Sequence, residues 1–404
     1  MPSPVATEAV TLGVQKLAQA RAFLKECSLD AWLLAVRESK ERPDPNLRFF
    51  LDLEFTWNSY FLVTLGRSYA LVATLDAPDL QRAGVFDEVR TYKEGSRDAL
   101  IQLLGEAKPS AIGINVSQDD ALADGLTAGL RDHIVETLKG TPYAERFQSA
   151  EKLLSLIRGV KLPTELSLIR AAVEETERIF DRAGSALRVG MTAREIAAVF
   201  HREAAALGAS TAWVSRQCPA VTVGARSPIG HVAPGDEPVG RGCIVHVDFG
   251  IVRDGFCSDL QRLWYVTGPS DRALPDAVRR AYDAIVEAID LAAKSLIPGI
   301  EGWEVDQKVR AHLASRGYPE YAHALGHHLG RAVHDGGGVL GPRWERYGRA
   351  PYERVREGHV YALEPSIHLP EHGLVALEED VVVGAKGAEF LSRFPRRVPV
   401  LALS

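Results

Sequence analysis

The chain has 404 residues, with 47 Lys and Arg against 53 Asp and Glu, a formal charge of −6. At roughly 150 residues per domain that length requires more than one core, and 46% apolar with 25% charged residues excludes a disordered chain, a collagen or a coiled coil. The mild acidity argues against nucleic acid as a partner, and no apolar run approaches the roughly 20 residues of a membrane span.

The first third alternates helical and extended patterns. Residues 11–25 space apolar and charged positions as an amphipathic helix does, not as a signal peptide. Apolar runs at 31–36, 68–75 and 111–117 predict strands, and helical spacing covers 98–107 and 119–138. An α/β domain over 1–155 follows, with no Gly-rich phosphate loop after its strands. The aromatic segment Phe55, Trp57, Tyr60 reads as a local packing cluster, or as a loop kept for a contact that the residues alone do not identify. Residues 148–162 predict a helical connector, and Pro163 suits the first turn of the next helix. Cys27, Cys218, Cys243 and Cys257 form no CxxC pair, which predicts a reduced, cytoplasmic protein rather than a disulfide frame or a zinc ribbon.

Beyond about residue 156 the chain repeats itself. A helix over 165–187 stops at Gly190 before a second helix; a helix over 270–296 stops at Gly299 before another. Gly190 pairs with Gly299, Glu195 with Glu304 and Ile196 with Val305, always at an offset of 109. Each half predicts long helix, glycine stop, second helix, then strands, with a ligand site at the shared midline.

The chemistry-bearing residues fall in the strand-rich parts. The alternating run 244–250 delivers Asp248 to a strand end, and Asp259 follows eleven residues later across the hairpin signal Arg253-Asp254-Gly255. Two buried carboxylates side by side repel unless a cation bridges them. Downstream, His323, His327, His328 and His334 are four of the twelve histidines, set among Gly326 and Gly330. His323 and His327 have zincin spacing, but no glutamate follows His323, so that mechanism lacks its base. Glu364 closes an apolar run before Pro365, and Glu378 opens onto a valine-rich one; acids facing a core need partners. Two Asp, two Glu and one His offer a formal −4, matching two divalent ions. Such oxygen-rich ligation favours Mn(II), Co(II) or Fe(II), with Zn(II) allowed. The implied reaction class is metal-assisted hydrolysis.

In order and spacing, Asp248, Asp259, the Gly326-His327-x-x-Gly330 block, Glu364-Pro365 and Glu378 resemble the pita-bread metallopeptidases. The chain as a whole is similar to their aminopeptidase P/prolidase branch. The resemblance implies an α+β fold, with a C-terminal pita-bread catalytic domain of duplicated helix-helix-strand halves over 156–404. An N-terminal α/β, creatinase-like domain would cover 1–155. By resemblance, Asp248 chelates one metal, Asp259 and Glu378 bridge two, and His327 and Glu364 complete one of them. Glu364 also serves as the base. His231, seventeen residues before Asp248, would lie near the leaving nitrogen, His334 would stabilise the oxyanion, and His323 would be a further substrate-side histidine. Five residues depart from the branch: Phe256 stands for a tyrosine, Gln261 for a threonine, His328 and Ser366 for glycines, and Ala376 for an arginine.

The resemblance implies hydrolysis of the Xaa-Pro bond of dipeptides by water activated on two divalent ions, Mn2+ or Co2+ before Zn2+ or Fe2+. His334-Asp335 looks more like the prolidases, and Arg343, Arg346 or Arg349 offers a clamp for a free dipeptide carboxylate. The alternatives are an aminopeptidase P-like enzyme acting on longer peptides and, in a different class, a metal-free peptide- or protein-binding module of the same fold. Relatives of this branch often form homodimers, and the same is expected here, with no nucleic-acid or membrane partner.

Overall fold

The structure, a computed structural model, describes residues 4–230, 232–267 and 274–401. It divides into two compact units, Met1–Arg158 and Gly159–Ser404. The first is built on a mixed six-stranded sheet in the order Glu88–Tyr92, Ser68–Ala73, Ser59–Thr64, Ala31–Val36, Ile112–Ile114, Phe147–Ser149. All six residues of Ala31–Val36 are buried. Trp32, Leu34 and Val36 enter one apolar cluster, while Ala31, Leu33 and Ala35 enter another on the opposite face. A strand covered on both faces reads as an uninterrupted apolar run, which is why this one was visible in the sequence.

Other expectations shift. The helix expected over 119–138 forms only at Ala128–Thr137. Upstream of it the Ser117 hydroxyl accepts from the Asp119 and Asp120 amides, and Asp120 accepts from Leu122, so side chains capture the backbone that a helix would need. The run 68–75 leaves the sheet at Ala73 and turns into a 3-10 helix, Thr74–Asp76. The aromatic segment leads into the strand Ser59–Thr64: Phe55 and Tyr60 are buried, and Trp57 is 56% exposed.

In the second unit the repeat is realised in register. The helices Pro163–Ala186 and Asp276–Ser295 end 109 residues apart, and Ala193–Ala206 and Gly302–Ser315 both start and end at that same offset. Gly190 (φ 87°) and Gly299 (φ 98°) sit left-handed between the paired helices. Glu195 accepts from the Thr192 amide at 2.8 Å and Glu304 from the Glu301 amide at 2.9 Å, the same cap in each half. On Asp276–Ser295, Val278, Tyr282, Ile285, Ile289 and Ala292 face one core with Leu296, spaced as one apolar stripe of a helix. Each helix pair precedes a sheet. One is four-stranded, Val400–Leu401, Leu260–Val266, Cys243–Phe249, Ala220–Val223; the other is five-stranded, Val339–Leu340, Gly326–His328, Val360–Leu363, Glu379–Gly384, Gly387–Phe390. An isolated bridge between Gln261 and Glu378 joins them. Among the described residues no helix is long and apolar enough to cross a membrane.

Candidate metal centre

Strand ends from both sheets meet at that bridge. Asp248 is the next-to-last residue of Cys243–Phe249 and pairs with Gln261; Phe249 pairs with Leu260, which places Asp259 beside it. Between them Ile251–Arg253 pairs with Phe256–Cys257 around Asp254 (φ 49°) and Gly255 (φ 78°). Two successive positive φ angles match the right-handed twist of the flanking strands, so the Asp-Gly signal closes the hairpin. On the other sheet His327 pairs with Ala362, and the Glu364 amide donates to Leu325 O at 2.8 Å. Glu378 immediately precedes the strand Glu379–Gly384, whose first residue pairs with Leu363.

Asp259, His327 and Glu378 converge with their ligand atoms within 4.8 Å of one another. The His327 Nδ1–H donates to His328 O at 3.2 Å; a carbonyl only accepts, so Nε2 is left as a lone pair. That lone pair faces Asp259 Oδ2 at 3.7 Å, Glu378 Oε1 at 3.7 Å and Glu364 Oε1 at 3.8 Å. Burial pushes Asp248 up to about 7 and Glu364 up to about 8, and drives Asp259 and Glu378 well above the usual carboxylate range. After burial, the strongest influences on Asp259 are Glu378, Asp248, Asp380 and Glu364, every one a carboxylate. Burial likewise holds the His327 imidazole down at about 3, hence neutral.

These residues fit a divalent cation. Asp248 Oδ1 and Asp259 Oδ1 are buried with no hydrogen-bond partner, a costly state for a carboxylate. Two atoms each about 2.1 Å from one ion lie no more than about 4.2 Å apart, and the three His327–carboxylate separations all fall inside that limit. Too long for hydrogen bonds, they suit a shared ion.

The remaining expected residues divide. His334 is exposed and lies edge-on to His327, with ring centroids 4.4 Å apart. His323 donates from Nδ1 to Ala324 O at 2.8 Å and accepts at Nε2 from Ser366 Oγ at 2.9 Å. His231 lies outside the described residues. His327 stands on a strand, so its spacing from His323 has no helical meaning. Arg346 donates to Ala322 O at 2.5 Å, next to His323, and stacks on Trp344 and Tyr347. Arg343 lies over Trp303. Asp335 is paired with Lys161 at 3.0 Å, and both are buried.

Several supporting residues escaped the sequence reading. Asp380, wholly buried, accepts from the Asp259 amide at 3.0 Å. Arg262 donates to Gln261 O, Glu378 O and Glu379 Oε1 at 2.9, 3.0 and 2.8 Å, tying both sheets together. The acidic triplet Glu378-Glu379-Asp380 opening a valine run was the available signal: alternate strand residues face opposite ways, so three acids in a row put charge on both faces. Gln261 was marked only as standing for a threonine, and His246 left no trace.

The chain matches the profile of Metallopeptidase family M24 over residues 167–385. It is similar to the putative dipeptidase YkvY of Bacillus subtilis, at 31% identity over 269 residues, 66% of this chain and 69% of that protein. It is also similar to an Xaa-Pro dipeptidase of Pyrococcus horikoshii, at 26% identity over 379 residues, 93% of this chain and 96% of the relative. Among solved structures, an Xaa-Pro dipeptidase from Bacillus anthracis shares the fold with a TM-score of 0.74 at 21% identity, covering 96% of this chain and 100% of that one.

Proposed function

The chain belongs to metallopeptidase family M24, and from that premise we propose that it is a metal-dependent peptidase hydrolysing the Xaa-Pro bond of dipeptides. The observation that carries the reading is the unprotonated His327 Nε2 facing three carboxylate oxygens at 3.7–3.8 Å, those of Asp259 and Glu378 buried, an arrangement that calls for a cation. Asp248, Asp259, His327, Glu364 and Glu378 would hold two divalent ions, Mn2+ or Co2+ by the predominance of oxygen donors. A bound ion supplies Lewis acidity, polarising the scissile carbonyl and acidifying water.

The chain's own residues supply the rest. Glu364 takes up the proton of the attacking water on its carboxylate. His334, exposed beside His327, donates to the developing oxyanion. His323, held by Ser366 and Ala324, flanks the substrate, and His231 serves the leaving proline nitrogen. Arg346, anchored beside His323, is the partner for the dipeptide carboxylate. The protein acts as a cytoplasmic homodimer; the free thiols of Cys218, Cys243 and Cys257 suit a reducing compartment.

The test is chelation followed by reloading. Activity on an Xaa-Pro dipeptide should vanish with metal and return with Mn2+ or Co2+, and the dipeptide should be cleaved faster than an Xaa-Pro-Yaa tripeptide. Activity that survives complete metal removal rejects the reading; faster cleavage of the tripeptide makes the enzyme an aminopeptidase.

A further inference from the structure

Gln261 stands where the ligand-bearing elements cross. It is in register opposite Asp248, and its backbone exchanges hydrogen bonds with Glu378 at 3.4 and 3.3 Å. Its side-chain Nε2 donates to Glu364 Oε2 at 3.4 Å. On its other side, Gln261 Oε1 lies 2.9 Å from His246 Nε2. His246, two residues before Asp248, shares its strand face and so is the diagonal neighbour of Gln261. Both side chains are buried, 3% and 7% exposed.

The chemistry of the two groups settles their orientation. An amide turned by half a rotation would present its oxygen to the Glu364 carboxylate and its NH2 to the imidazole. With the oxygen towards His246 instead, the imidazole must carry its proton on Nε2, because a carbonyl only accepts. His246 Nδ1 is then the bare nitrogen, and it is buried with no hydrogen-bond partner. One N–H thus decides which way the amide faces, and the amide's NH2 decides where the Glu364 carboxylate sits.

We propose that Gln261, oriented by His246, is the positioning residue that aims Glu364, anchoring Oε2 so that Oε1 faces the metal ligands. Glu364 Oε1 lies 3.8 Å from His327 Nε2, while Oε2 takes the amide hydrogen bond. The inference rests on the reading of Glu364 as metal ligand and proton acceptor.

A thermodynamic cycle on the full-length chain tests it, with Gln261→Met (equal length, no polar atoms), His246→Phe (no N–H) and the double variant. Each is followed by calorimetric titration of the metal-free protein with Mn2+ alone and by kcat and KM on one Xaa-Pro dipeptide. Gln261→Met should weaken Mn2+ binding and lower kcat by about 10–100-fold each, the usual cost of losing a residue that orients a metal ligand, with KM little changed. His246→Phe should do the same through Gln261, so the double variant should be no worse than Gln261→Met alone. His246→Gln, which still offers an N–H, should recover much of the loss. Wild-type Mn2+ affinity and kcat in Gln261→Met would overturn the proposal, as would single-variant losses that multiply in the double variant. If Gln261→Met does not fold, His246→Phe carries the test through the same readouts. A wild-type chain that neither binds Mn2+ nor cleaves the dipeptide rejects the functional reading itself, a result distinct from any of these.

Discussion

Buried carboxylates facing one another govern how the metal-free chain should respond to pH. Burial raises Asp248 from an ordinary 3.8 to about 7 and Glu364 from 4.5 to about 8. A raised acid binds its proton more tightly folded than unfolded, so its stabilising contribution is complete below the unfolded value and is lost as pH climbs through the folded one. Buried His327, lowered from 6.5 to about 3, acts oppositely, losing stability as pH falls below 6.5. Above pH 6.5 the His327 contribution fades, and towards pH 8 the slope is set by the raised carboxylates. The Tm of the metal-free protein should therefore fall across that window, and saturating Mn2+ should flatten the slope, because an ion stabilises the ionised carboxylates. Differential scanning calorimetry at several pH values checks this; a flat metal-free profile would contradict the burial of these acids. The same residues were the legible ones: Asp248 and Glu364 close apolar runs, Glu378 opens one, Asp259 follows a hairpin signal, and His327 stands in a histidine cluster among glycines. Of the supporting pair, Gln261 was marked only as a departure from a threonine and His246 not at all, because a neutral side chain inside a strand does not announce its role until its cross-strand partner is known.

At the scale of elements, the helix Gly302–Ser315 does more than fill the core. Arg310, 8% exposed, pairs with Asp306 one turn earlier at 2.7 Å and donates to Tyr321 O at 2.8 Å and His323 O at 2.5 Å. Asp306 in turn accepts from the Leu325 amide at 3.2 Å. This i,i+4 pair thus fixes the backbone of the segment that carries His323 and leads into His327. Arg310→Ala would leave the Asp306 carboxyl buried without its countercharge, at a cost of about 3–5 kcal/mol. Urea denaturation should register that loss, and KM for the dipeptide should rise as His323 loosens. Unchanged stability would mean that the pair is solvated. The helices were readable because their apolar stripes, caps and glycine stops are local. The corresponding helix of the other half carries its own Thr192–Glu195 cap at the same offset, so the duplication was readable too.

For the whole molecule, the open prediction is assembly. Trp57 is 56% and Leu75 84% exposed, and the Trp57 amide donates to Asp76 Oδ2 at 3.4 Å, which joins the two segments that carry them on the first unit. Single exposed apolar groups are ordinary, but two of this size on joined segments suit a contact with a second copy. Sedimentation velocity should give twice the chain mass for the wild type, and Trp57→Asp with Leu75→Asp should shift the population towards monomer. A wild-type protein that sediments as a monomer at micromolar concentration ends that proposal.

By itself the sequence determined the two-part organisation, the duplicated helix-helix-strand pattern and the five candidate ligands, because helix stripes, glycine stops and acids at strand ends are local signals. Only the tertiary structure decided what stands behind them. Arg262 ties Gln261 to Glu378 and Glu379, and Asp380 receives the Asp259 amide. Gln261 lies between His246 and Glu364. These contacts link residues up to 121 positions apart. Those between Arg262, Asp259, Gln261 and the residues 364–380 exist only once two sheets are brought edge to edge, and no spacing along one chain records which of its polar residues will meet there.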